Sequence, residues 1–169
     1  MAIIASVRGE FIRYKDLAEA AIAQLADQDL TFEPTGSGNS IAVICWHISG
    51  NLRSRFTDFL TSDGEKPWRK RDEEFERRPV TKAELLERWN GGWSVLLQTL
   101  DALSDADLDR TVTIRRQPLA VHEALHRSLA HTASHVGQIV FLAKSVRGGA
   151  WTSLSIPLGQ SEAFNRNPR

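Results

Sequence analysis

Apolar residues recur at three- and four-residue steps along four long stretches of this chain, each bounded by turn residues or dense charge. That spacing lines one face of a helix, so it predicts four amphipathic helices. The first runs from about Ile3 to Leu25, with Ile4, Val7, Phe11, Leu17, Ala18, Ile22 and Leu25 on its apolar face. Glu33-Pro-Thr-Gly-Ser-Gly-Asn39 is rich in breakers and predicts a loop. Asn39 or Ser40 then caps a second helix that extends to about Leu60. Its stripe is Ile41, Ile44, Ile48, Leu52, Phe56 and Phe59, and Asp63-Gly-Glu-Lys-Pro67 ends it.

Between Glu65 and Arg78 the chain is dense in charges of both signs. Thr81-Lys-Ala-Glu84 reads as a capping box, opening a third helix to about Leu103 with Leu85, Leu86, Trp89, Trp93, Leu96, Leu97 and Leu100. Gly91-Gly92 in its middle costs roughly 1 kcal/mol per glycine relative to alanine, which points to close backbone packing or a bend. Thr111 to Arg115 alternates as a short extended segment, and Pro118 or Leu119 leads into a fourth helix from about Val121 to Val146. Gly148-Gly149 stops it, and the tail from Ala150 reads as extended coil with one turn. The fold class is therefore all-α, a four-helix bundle with a long charged connection between helices two and three. At 169 residues the chain is expected to form one domain, 1–169.

Charge narrows the partners. Lys plus Arg and Asp plus Glu both number 21, so the formal net charge is zero. Nucleic-acid binding draws most of its affinity from a basic excess, and none exists here. No apolar run approaches the roughly 18 residues of a membrane span, and the apolar N-terminus is too short for a signal peptide. The single cysteine, Cys45, builds no disulfide framework. These features predict a soluble cytoplasmic protein.

Four of the five histidines fall into two pairs at i and i+4. His131 and His135 lie about 40° apart on one helix face, as do His122 and His126. Such a pair can converge on one ion, as in zinc-binding helices. His126 is about 140° round the helix from His131, so only one pair can face the bundle interior. Ile139 and Leu142 continue the His131 face, whereas Glu123 and Arg127 flank the earlier pair. His47 on helix two shares a face with Val43, Gly50, Asn51 and Ser54, whose small members leave room for a cavity beside the imidazole. Three histidines from two helices would leave open coordination positions for chemistry. Hydrogen-bonded core histidines are the alternative that spacing alone leaves open.

His47-Ile-Ser-Gly-Asn51 together with His131-Thr-Ala-Ser-His135-Val-Gly-Gln138 resembles the DinB/YfiT-like superfamily of metalloenzymes. Asp63-Gly-Glu-Lys-Pro-Trp-Arg-Lys-Arg-Asp-Glu-Glu-Phe75, Leu154-Ser-Ile-Pro157 and Gly159-Gln-Ser161 are similar to one branch of it. The resemblance implies an up-down-down-up four-helix bundle and a divalent transition metal, most often nickel or zinc. It implies His47, His131 and His135 as the ligands. It also implies homodimers and, in some members, thiol S-transfer with bacillithiol or mycothiol as nucleophile. No particular reaction is implied for the branch.

Asn51, one turn beyond His47, and Gln138, beside His135, are candidates to orient a ligand or a metal-bound imidazole. Arg69 and Arg71 can grip an anionic substrate through forked hydrogen bonds, with the Asp63-to-Phe75 segment as a lid or rim. The same segment also reads as a solvated charge run or a dimer contact. Cys45 points about 200° away from His47 and reads as a buried structural residue. Trp46, Trp89 and Trp93 read as core aromatics. No carboxylate stands next to the histidines in sequence, so no general base is named. Three readings follow: a metal-dependent transferase or hydrolase acting on a small molecule, a non-catalytic metal- or ligand-binding bundle, and a helical interaction module without metal.

Overall fold

The computed structural model describes residues 2–33 and 38–167. Four long helices form a bundle: α1 (Ile3–Ala23), α2 (Ile41–Phe56), α3 (Lys82–Ala102) and α4 (Val121–Arg147). Between α3 and α4 lies an antiparallel hairpin of β1 (Thr111–Ile114) and β2 (Gln117–Ala120), and α5 (Ser161–Arg166) ends the chain. Pro34 to Ser37 of the predicted loop lie outside the described residues.

Helix directions follow from the side chains that tie the helices together. Ser49 Oγ donates to the Arg88 carbonyl and Thr99 Oγ1 to that of Phe56, so α2 and α3 run parallel. Trp89 Nε1 donates to Glu19 while Arg8 pairs with Asp101, so α1 runs against α3. Gln24 and Thr152 exchange two hydrogen bonds, which brings the ends of α1 and α4 together. The order is up-down-down-up. Parallel neighbours need a connection that travels back along the bundle, and residues 57–81 do this by running beside α2 as a strap.

Local signals set most boundaries. Ser40 Oγ accepts from the Val43 N–H, which makes Ser40 rather than Asn39 the cap of α2. The Thr81–Glu84 capping box is present as read. One boundary differs: α2 stops at Phe56, not Leu60, because Thr57 turns extended and Asp58 takes a positive φ of 49°. The extended segment after α3 gains a partner in Gln117–Ala120, so it is half of a hairpin. Arg115 and Arg116 at its tip have φ of 54° and 64°, a left-handed conformation that β-carbons disfavour. Asp63 on the strap offsets this by accepting from both of their N–H groups, at 2.9 and 2.7 Å.

The core centres on Phe11, which meets Phe56 and Trp93 edge-to-face at 6.5 and 6.3 Å. Helix α2 is buried all round from Ile41 to Ser49, with α3, α4 and the strap covering it. Gly92 explains half of the Gly91-Gly92 cost: a Cβ there would sit 2.6 Å from the Ser49 Cα, so the glycine permits close packing of α2 on α3. Gly91 faces open space. Among the described residues no helix is long and apolar enough to cross a membrane.

Candidate metal centre

His47 sits on the buried face of α2, and His131 and His135 project from the middle of α4 towards it. One nitrogen from each of the three rings lies within 4.8 Å of the others, a cluster that could hold a metal ion. His47 Nε2 and His131 Nε2 are 3.1 Å apart, and the three ring centroids are separated by 4.6 to 5.1 Å.

Each outer nitrogen that has a partner fixes which inner nitrogen faces the centre. His47 Nδ1 donates to Glu74 Oε2 at 3.0 Å, which turns Nε2 towards His131. His135 Nδ1 donates to Gln138 Oε1 at 3.0 Å, which likewise leaves Nε2 inward. Metal-binding imidazoles are oriented in this way by carboxylates and amides behind them. Burial, followed by the neighbouring His135 and His47, pushes His131 down to about 4. Burial lowers His135 as well, against the opposing Gln138 hydrogen bond. Both shifts favour the neutral imidazole, the form a metal ligand requires.

Glu74 is the residue that sequence reasoning missed. It lies in a 3-10 turn of the strap, Asp72–Phe75, and is buried. Arg69 grips it with both arms, Nε to Oε1 at 2.8 Å and a terminal nitrogen to Oε2 at 2.9 Å. Burial alone would raise the Glu74 carboxyl, but the His47 hydrogen bond and Arg69 outweigh it and hold it below the usual range. Both Glu74 oxygens accept hydrogen bonds, Oε1 from Arg69 and Oε2 from Arg69 and His47, so the carboxylate fixes the orientation of the His47 ring. Phe75 packs its ring 5.0 Å from that of His47.

This arrangement refines three expectations. A cavity does open beside His47, lined by Asn51, but Gly50 does not provide it: a Cβ at Gly50 would collide with the Glu74 carboxylate, so the glycine makes room for Glu74. Arg69 borders the cavity, but its side chain is 2% exposed and both of its arms are engaged with Glu74. The Asp63-to-Phe75 run is not solvated throughout: Lys66 and Glu74 are buried within it, while Lys70, Arg71, Asp72 and Glu73 are exposed. Gly50 was the signal that could have found Glu74. A glycine inside a helix, one turn from a histidine, marks something approaching closely.

The remaining candidates separate cleanly. Asn51 and Arg71 line a cavity of about 200 Å³ that opens beside His47 and His131. His122 bonds the Leu108 carbonyl at 3.0 Å and His126 is exposed, so this pair stands apart from the cluster. Cys45 is 1% exposed, and burial pushes its thiol up. Trp89 and Trp93 are core residues, and Trp46 is buried beneath the Arg78 guanidinium at 4.3 Å.

Residues 2–160 match the family described as "Protein of unknown function (DUF1572)". The chain belongs to the DUF1572 family. Among solved structures it is similar to the crystal structure of a conserved protein from Enterococcus faecalis, with a TM-score of 0.67. That likeness spans 88% of this chain and 99% of the other at 17% identity, and it speaks for the bundle fold alone. No curated protein matches the chain. The DUF1572 match covers the strap and all three histidines of the cluster.

Proposed function

We propose that this DUF1572 protein is a metal-dependent enzyme of DinB/YfiT-like type. Its resident cation is Zn²⁺ or Ni²⁺, held by His47, His131 and His135. The single observation that carries this reading is the convergence of three imidazoles, two of them held from behind by Glu74 and Gln138. A hydrogen-bonded core pair would account for His47 and His131, but not for a third ring, His135, with a nitrogen in the same 4.8 Å cluster. Nitrogen donors suit late first-row ions better than Mg²⁺ or Ca²⁺.

A divalent cation acidifies a neighbouring water or thiol, so it supplies an anionic nucleophile near neutral pH. The chain's own residues do the rest. Glu74 keeps His47 in the Nδ1–H tautomer, and Arg69 keeps Glu74 ionised. Gln138 orients His135, and Phe75 shields the His47 ring from water. Asn51 faces the cavity, where its amide can hold a polar group of a small-molecule substrate. Thiol S-transfer, with a low-molecular-weight thiol as nucleophile, is the leading reaction type, and hydrolysis is the second. A homodimer in the cytoplasm is part of the proposal.

The test uses protein purified without a histidine tag. Elemental analysis after zinc or nickel loading is expected to give one ion per chain, and His135→Ala, on a half-exposed ring, is expected to lose it. A wild-type protein that stays metal-free under those conditions removes the reading. Loaded protein incubated with a thiol and an electrophile then separates transferase from hydrolase. Turnover that needs the thiol means transfer, turnover in water alone means hydrolysis, and neither leaves a binding protein.

A further inference from the structure

The cavity beside the histidines has an unusual wall for a chain of zero net charge. Five arginines line it, Arg55, Arg69, Arg71, Arg115 and Arg127, and no carboxylate does. Their carboxylate partners stand behind the wall. Glu74 neutralises Arg69, and Glu65 serves both Arg115, at 2.7 Å, and Arg55, at 3.4 Å. Two carboxylates thus answer three arginines, and Arg71 and Arg127 remain. Arg71 has one carboxylate near it, Asp72 at 3.8 Å and itself fully exposed, and its guanidinium lies 4.8 Å over the Phe75 ring. No ion pair reaches Arg127 among the described residues. Arg55 is lowered from its ordinary value chiefly by burial, and Arg69 and Arg115 act in the same direction against Glu65.

A second observation is independent of charge. Ser128 is 7% exposed and lines the same cavity, yet its hydroxyl oxygen has no hydrogen-bond partner. Leaving a buried hydroxyl unpaired is costly, so such a group points to a ligand that completes it. Ser128 sits about one turn before His131 on α4 and next to Arg127, and all three line the cavity. Phe56, Phe59 and Ile114 add an apolar part to the lining. At about 200 Å³ the space is below the roughly 300–1,000 Å³ of drug-sized sites, so a compact molecule fits and a nucleotide does not.

We infer that the substrate of this site is a small oxyanion, a carboxylate- or phosphate-bearing molecule with a short apolar body. Arg71 from the strap and Arg127 from α4 grip its charged end, Ser128 donates to it, and its uncharged end lies towards the histidines. This rests on the metal reading only for the direction in which the substrate faces. The electrostatic part stands without the metal.

The test titrates succinate, inorganic phosphate and the neutral analogue succinamide into metal-free and zinc-loaded protein by calorimetry. Both anions are expected to bind both forms, more weakly as ionic strength rises, and succinamide is expected not to bind. Arg71→Gln combined with Arg127→Gln alters exposed side chains only and is expected to weaken succinate by about tenfold or more. Ser128→Ala is expected to weaken it by a smaller factor, and Arg13→Gln on α1 not at all. Succinamide binding as tightly as succinate overturns the proposal. So does unchanged affinity in the double variant, or anion binding confined to zinc-loaded protein and blind to both arginines. Protein that takes no zinc yet binds succinate through Arg71 and Arg127 keeps this inference and removes the metal reading. Zinc uptake without anion binding does the reverse.

Discussion

One glycine separates packing from propensity. In a helix interior alanine is favoured over glycine by roughly 0.8–1.0 kcal/mol, so Gly50→Ala and Gly91→Ala should both stabilise on backbone grounds. At Gly91 a Cβ meets nothing within 4 Å, and the variant is expected to gain up to that amount. At Gly50 the new methyl displaces the Glu74 carboxylate, which is pinned by Arg69 and His47 and cannot swing aside while keeping both. Breaking a buried, hydrogen-bonded ion pair costs about 3–5 kcal/mol. Subtracting the propensity gain leaves Gly50→Ala less stable by about 2–4 kcal/mol. For a chain of this size that is a drop in Tm of roughly 4–16 °C. Zinc affinity should fall too, by about 10–100-fold, because His47 loses the acceptor that orients it. Thermal unfolding of the metal-free variants and competition with a chromophoric chelator read the two effects separately. A Gly50→Ala protein as stable as Gly91→Ala, with undiminished zinc affinity, would refute the seating of Glu74 against α2.

Two further outcomes test the fold around the site. Asp63 is pulled down to about 2 by hydrogen bonds from the Glu65, Arg116 and Arg115 N–H groups. Its folded value lies below the unfolded value of about 3.9. Its stabilisation is therefore complete above pH ~4 and disappears as pH falls through about 2. Denaturant unfolding of metal-free wild type and Asp63→Asn should differ at pH 5 and converge near pH 2; a gap that does not narrow would contradict the depressed value. Cys45 is buried with its thiol raised, so iodoacetamide at pH 8 should leave it unmodified in the native protein and alkylate it in urea. Mass spectrometry showing rapid native labelling would place that face of α2 in solvent.

Much of the architecture was legible because helices declare themselves through short-range chemistry. The 3.6-residue stripes, the Ser40 cap and the Thr81–Glu84 box are local, and each stands where the pattern put it. The two histidines of α4 were legible for the same reason: their four-residue spacing fixes their mutual geometry on any straight helix. Which pair faced inward was also readable, from the apolar continuation through Ile139 and Leu142, both buried. The interior placement of His47 could be read only as far as its small neighbours allowed.

What tertiary structure alone decided lies in the strap. Asp72, Glu73 and Glu74 are consecutive acids in a charged run, and no periodicity separates the one that is buried from the two that are exposed. The distinction arises because α2 and α3 run parallel, which sends residues 57–81 back along α2 past His47 and Gly50. The same path withdraws Arg69 from solvent and leaves Arg71 at the cavity. Sequence by itself determined the helices and which imidazoles could share a face, since those depend on residues a turn apart. The partner of each charge depended on segments that meet only when the bundle closes, and a pattern read along one chain carries no record of that meeting.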